Sequence, residues 1–140
     1  MSPMRIVTVT AVGLLLTTQP TQAAPVRCPE TVAVDQHVHA LPPGMTAFDS
    51  EARHAWTNAQ FSEGPPDRQA WLAPDSSRTS GKVVTNLWTF VPSGDGIWLS
   101  CGYTGTSLVL SFRLTDTIRT CSVKYDANTS PLSATAIDCK

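Results

Sequence analysis

His37 and His39 stand one residue apart in TVAVDQHVHAL, and on an extended strand that spacing turns both imidazoles to the same side, as a metal site requires. Asp35 shares that side, while Val32, Val34 and Val38 take the other. With no cluster of Asp, His or Cys beside the pair, the stretch reads as a half-buried strand with a polar face, and no metal is expected. Hydrolysis would need a nucleophile, a base and an orienting group. His54, Asp49, Glu51 and many serines supply the residue types, but no G-x-S-x-G or comparable signature assembles them. DSEARH (49–54) carries both signs of charge and reads as a solvated turn. No catalytic residue and no cofactor is expected, and the chain does not read as an enzyme.

Sulfur offers a different chemistry. Cys28, Cys101, Cys121 and Cys139 are separated by 73, 20 and 18 positions. Zinc ligands usually come as close pairs such as C-x-x-C, so this spacing favours two disulfides. Oxidised sulfur in turn removes a thiolate nucleophile.

What remains is recognition. Trp56, Trp71, Trp88 and Trp98 are many indoles for this length. Trp88 and Trp98 fall on the parity opposite to the apolar face read for their strands. Two readings follow: a sandwich with apolar residues on both faces, or an exposed aromatic patch of the kind that anchors partners or stacks on carbohydrate. Two loops have the chemistry to touch something. EGPPDR (63–68) is stiffened by Pro65 and Pro66 and presents Asp67, while PSGDG (92–96) presents Asp95 between two glycines. A rigid loop binds at lower entropic cost, although both loops also have the composition of ordinary tight turns. Asp95, Asp67, Trp98 and Trp88 are the candidate partner-binding residues.

Those residues need a frame. Ile97, Leu99, Cys101 and Tyr103 alternate with Trp98, Ser100 and Gly102; Leu108, Leu110, Phe112 and Leu114 alternate with Val109, Ser111 and Arg113; Cys121, Val123 and Tyr125 alternate with Ser122 and Lys124. Period 2 predicts half-buried strands. Turns at Thr104-Gly105-Thr106 and Thr115-Asp116-Thr117 join them into a three-stranded meander. In a meander the outer strands lie about 10 Å apart, two spacings of about 4.8 Å, which puts Cys101 and Cys121 beyond disulfide reach. A turn at 126–132 folds SATAIDCK back on the third strand, with Cys121 and Cys139 equidistant from Ser130. The expected bridges are therefore Cys121 with Cys139 and Cys28 with Cys101.

LWTFV (87–91) and AWTNAQF (55–61) are further strands. TAFDSEARHAW (46–56) is ambiguous: Phe48, Ala52, Ala55 and Trp56 match helical spacing and Thr46 or Asp49 could cap it, so one short helix is allowed. Prolines and glycines punctuate the chain throughout, with no repeat and no long linker. The sum is a mainly β fold, a small antiparallel β-sandwich or flattened barrel with two disulfides.

The first 23 residues read as a secretory signal peptide. Arg5 precedes an apolar run of about 11 residues, Ile6 to Leu16, too short for a bilayer that takes roughly 20. Thr21-Gln22-Ala23 supplies the peptidase site, with cleavage after Ala23. Pro25-Val26-Arg27 before Cys28 is no lipoprotein box. Residues 24–140 are then one exported, periplasmic domain without membrane insertion. Charged residues make up 15% of the chain and the formal net charge is -1, which gives no basic footprint for nucleic acid and no polybasic segment for an anionic membrane.

Cys28-Pro29, Gly64-Pro65-Pro66, Leu72-Ala73-Pro74, Trp88, Trp98-Leu99-Ser100-Cys101-Gly102-Tyr103 and Cys121-Ser122-Val123-Lys124-Tyr125 form a series that resembles small, mostly uncharacterised exported proteins of Gram-negative bacteria. That group is similar to proteins encoded near type VI secretion clusters, where small periplasmic β-proteins act as immunity proteins against peptidoglycan-targeting effectors. The shared residues are scaffold, and none carries over as a binding residue. A second, architectural resemblance is to periplasmic lysozyme inhibitors, small disulfide-bonded β-barrels that insert a loop into a muramidase cleft. Ser80-Gly81-Lys82 matches the start of their Ser-Gly-x-Arg-Tyr signature, while Val83 and Val84 replace its end.

Both resemblances imply a non-catalytic inhibitor or immunity protein that occludes the active site of a cell-wall-active toxin or lysozyme-like enzyme. A rigid loop, through Asp95 or Asp67, would face the catalytic groups, and tryptophans would anchor the rim. The alternative is an envelope- or carbohydrate-binding module using the same aromatics. An inhibitor forms a stoichiometric complex with one protein, whereas a glycan module sediments with insoluble peptidoglycan.

Overall fold

A computed structural model of the protein describes residues 25–48 and 53–140. The signal-peptide reading, Asp49 and Glu51 lie outside the described residues. Among the described residues there are nine strands, β1 (Thr31–Ala33), β2 (Arg53–Glu63), β3 (Trp71–Leu72), β4 (Ser76–Ser80), β5 (Val83–Thr89), β6 (Ile97–Tyr103), β7 (Val109–Arg113), β8 (Thr120–Asp126) and β9 (Ser133–Cys139), and one 3-10 turn at Pro66–Arg68. They form two antiparallel sheets. One runs β1-β2-β6-β7 with β3 also paired to β2, and the other runs β4-β5-β8-β9. One of the two curls into a half-barrel, in keeping with the expected mainly β sandwich or flattened barrel.

The alternation in β6 and β8 does what period 2 requires. Leu99, Cys101 and Tyr103 turn inward from one sheet, and Cys121, Val123 and Tyr125 turn inward from the other. Phe61 of β2 is wholly buried between the layers, its ring 4.9 Å from that of Trp88 and 5.2 Å from that of Phe90. A buried Phe of this kind contributes roughly 3–5 kcal/mol against truncation to Ala. The Tyr125 hydroxyl donates to the Ala59 carbonyl at 3.3 Å, and the Trp88 indole N–H donates to the Leu72 carbonyl at 3.0 Å. These two bonds cross between elements of different sheets.

Both expected disulfides are present. Cys121 and Cys139 face each other across the β8–β9 ladder with Cα atoms 4.1 Å apart. Cys28 reaches Cys101 on the inner side of β6, Cα to Cα 5.7 Å, and so holds the chain ahead of β1 against that sheet.

Four local expectations change. The meander stops after two strands: β6 pairs with β7, but β8 lies in the other sheet between β5 and β9. Residues 114–119 are a crossing between layers, and that crossing, not a two-strand offset, separates Cys101 from Cys121. The helix allowed over 46–56 does not form where the chain is described, because Arg53 onward extends as β2, pairing with both β1 and β6. On β5 the buried parity is that of Trp88, with Leu87 facing out, because the indole fits against Phe61. Finally, only Thr31–Ala33 of TVAVDQHVHAL is strand. His37 and His39 lie beyond it in an exposed irregular stretch, so no shared strand face orients them.

Candidate functional site

The two loops meet at one end of the sheet that contains β2 and β6. Gly64 follows β2 and Gly96 precedes β6, both at positive φ (78° and 72°), a backbone state that glycine enters without steric cost. The Gly64 N–H donates to the Gly96 carbonyl at 2.8 Å, which extends the β2–β6 ladder by one bond and ties the loops together. Outside that bond the Arg68 guanidinium donates to the Asp95 carboxylate at 3.0 Å. Both side chains are 59% exposed, so the ion pair itself contributes at most about 1 kcal/mol. Its value is positional: the acid expected to project alone is held by a cation from the other loop.

Packing on the far side of Gly96 is just as close. A Cβ added there would clash with Nε of Arg113, so the guanidinium of the last β7 residue lies over the glycine. Arg113 also donates to Asp116 at 2.8 Å. Beside it, Phe90, Ile97 and Ile118 line a hollow of about 270 Å3 whose rim carries Asp116 and Arg119.

Register places a further set of side chains on the same surface. Trp71 of β3 opposes Ser62 of β2, Ser62 opposes Trp98 of β6, and Trp98 opposes Arg113 of β7. Directly opposed residues share a face, so Trp71, Ser62, Trp98 and Arg113 form one row across four strands on the outer side of the sheet. Ser62 is completely covered, and its hydroxyl donates to the Gly64 carbonyl at 2.9 Å. Trp71 is 43% exposed. Trp98 is half-buried, and its indole N–H is shielded with no partner among the described residues.

The structure therefore joins Asp95, Trp98 and the loop that carries Asp67 on one continuous surface. It places Trp88 elsewhere, in the core at 5% exposure. Three residues of the surface were not singled out by sequence as contact residues: Trp71, Arg68 and Arg113. Trp71 sits on a two-residue strand, too short for alternation to reveal its face. The signal for Arg113 was its outward parity on β7.

The histidines do not add chemistry to this surface. His54 is buried near the opposite end of β2, where its Nδ1 lies 2.7 Å from the Thr104 carbonyl. A carbonyl only accepts, so Nδ1 carries the hydrogen and the ring fastens β2 to the β6–β7 turn. Among the described residues no group of three His, Cys, Asp or Glu side chains could hold a metal ion. What the loop end offers is recognition: fixed guanidinium donors, carboxylates and two indoles on a stiff frame.

Comparison with known proteins adds two findings. Residues 51–140 match a family described as the type VI secretion system Tli immunity protein, a stretch that takes in β2 through β9 and both loops. Over 121 residues the chain is 30% identical to an uncharacterized 16.3 kDa protein in the trpG 5' region of Azospirillum brasilense, covering 80% of this chain and 79% of that one. No solved structure matches the chain.

Proposed function

This chain belongs to the type VI secretion system Tli immunity protein family, and on that premise we propose that it neutralises a toxin enzyme by binding over its active site without catalysing a reaction itself. One observation carries the choice of surface: the loops at 63–68 and 92–96 are locked together by the Gly64–Gly96 and Arg68–Asp95 bonds, directly beside the row that holds Trp71 and Trp98. A preorganised loop pair loses little entropy on docking. Indoles and arginines are the side chains that dominate interface energetics. Asp95 and Asp67 face the target's catalytic groups, and Trp71 and Trp98 anchor the rim.

The site of action follows from the leader-like first 23 residues and the two disulfides, which suit an oxidising compartment. The protein is read as periplasmic, and its target as an enzyme that attacks the cell envelope. Peptidoglycan is the substrate implied by the resemblance to periplasmic immunity proteins. Phospholipid satisfies the same compartment argument.

Affinity capture tests this. Tagged protein beginning at Ala24 is incubated without reductant with envelope extract and candidate toxins, and the retained protein is assayed on purified sacculi and on phospholipid vesicles. The expected result is a stoichiometric complex with one enzyme whose activity disappears on binding. Asp95→Ala and Trp71→Ala should each weaken that complex by about tenfold or more, while Asp95→Ala shifts folding stability by no more than about 1 kcal/mol. A bait that retains no protein and sediments with sacculi would instead establish the carbohydrate-binding alternative.

A further inference from the structure

Strand β7 ends its sheet, and among the described residues nothing pairs with its outer edge. Its backbone can be assigned group by group. The Leu114 N–H donates to the Ile97 carbonyl at 2.8 Å, so Leu114 turns its peptide groups towards β6. Antiparallel pairing alternates along a strand, and the β6–β7 register runs unbroken from Trp98–Arg113 to Gly102–Val109. Phe112 and Leu110 therefore bond to β6, while Val109, Ser111 and Arg113 direct their N–H and C=O groups away from the sheet.

Exposed edges are normally blunted by proline, lysine, bulges or short length, and the other edges of this protein follow that rule. β1 and β3 have three and two residues, and β4 is SSRTS, polar throughout. β9 pairs with a register shift opposite Lys124 and Tyr125. β7 reads VLSFR, with no proline, glycine, lysine or bulge, and its approach is apolar, with Leu108 42% and Val109 49% exposed. Beneath its C-terminal half lies a hollow of about 610 Å3 lined by the apolar side chains of Val26, Phe112, Leu114 and Ile118 together with the cations Arg27 and Lys140. A strand added beyond β7 would turn every second side chain to the inner face of the sheet, and the one beside Phe112 towards that hollow.

We propose that the β7 edge receives an extended segment of the toxin, which pairs antiparallel or parallel with Val109, Ser111 and Arg113 and seats an apolar side chain in the hollow beside Phe112. The inference rests on the toxin-binding reading. It deepens that reading because Arg113 belongs both to this edge and to the cover of Gly96, so the added strand would run into the braced loops. Main-chain pairing supplies affinity in such augmentation, and the pocket supplies selectivity.

The test uses the whole exported protein and the purified toxin recovered by capture. Amide hydrogen exchange is measured free and in complex, together with the affinities of Val109→Pro and Val109→Lys. Proline removes an outward N–H without touching the β6 ladder, and lysine supplies the charge that natural edges use; melting curves report whether each variant folds. The expected result is strong protection of the Val109, Ser111 and Arg113 amides only in the complex, with affinity lowered about tenfold or more by either variant. A full-affinity complex that leaves these amides unprotected would overturn the strand pairing and leave the inhibitor reading intact. Protection in the free protein at the mass of a dimer would assign the edge to a second copy and likewise overturn the proposal. Absence of any toxin complex would remove both readings.

Discussion

Tyr103 and Tyr125 are the titratable residues on which burial acts most plainly. They are 5% and 6% exposed, and removal from water lifts both phenols above the ordinary value of 10.0, because the charged phenolate is the form that loses hydration. The unfolded chain gives up these protons first, so the contribution of the two neutral phenols is complete below pH 10.0 and is lost as pH rises through their folded values. Phenolate absorbance should accordingly lag behind that of free tyrosine and rise together with unfolding. Tyr125→Phe should move the alkaline unfolding midpoint upward while costing about 0.5–1.5 kcal/mol at neutral pH for the bond to Ala59. Phenolate formation complete near the ordinary value with the fold intact would contradict this. The inward side of both tyrosines was legible because polar neighbours alternate with them. The face of Trp88 was not legible because polar residues fall on both parities of β5, Asn86 with Trp88 and Thr85 and Thr89 with Leu87, so only Phe61 across the core decides.

The strands divide in the same way between what is local and what is not. β6 was legible to the residue, since its alternation ends at a glycine turn, and the β8–β9 return was legible from a turn-rich segment of the right length. The partner of β8 was not. Thr115-Asp116-Thr117 has the composition of a hairpin turn and of a crossing alike, and periodicity fixes which way side chains point, not which strand lies alongside. The two disulfides give the layers unequal covalent support. Cys28–Cys101 spans 73 positions and Cys121–Cys139 spans 18, for which chain-entropy restriction amounts to about 4 and about 3 kcal/mol. Urea unfolding of the paired alanine variants should therefore find Cys28→Ala/Cys101→Ala less stable than Cys121→Ala/Cys139→Ala by about 1 kcal/mol. Equal losses would show that loop closure is not the governing effect.

Across the molecule, the sandwich itself was the most readable property, because short alternating runs separated by proline and glycine leave few architectures that bury one face of each sheet. The site was readable only in pieces. PSGDG and EGPPDR each looked fit for contact, but sequence gives no reason for loops nearly thirty positions apart to share a hydrogen bond; the β2–β6 register brings them together. The order of the cysteines has a consequence for how the chain matures. Numbered from the N-terminus, the first pairs with the second and the third with the fourth. Under the proposed export, a chain threaded through a translocon N-terminus first presents its thiols in that same order, so an oxidase that joins each newly arrived cysteine to the one still waiting produces the native pattern without reshuffling. Yield of correctly bridged protein should then depend on the host's thiol oxidase and be unchanged in a strain lacking its disulfide isomerase. Peptide mapping of unreduced material from the two strains compares them directly, and mispaired Cys28–Cys121 or Cys101–Cys139 in the isomerase-deficient strain would count against biogenesis by emergence order alone.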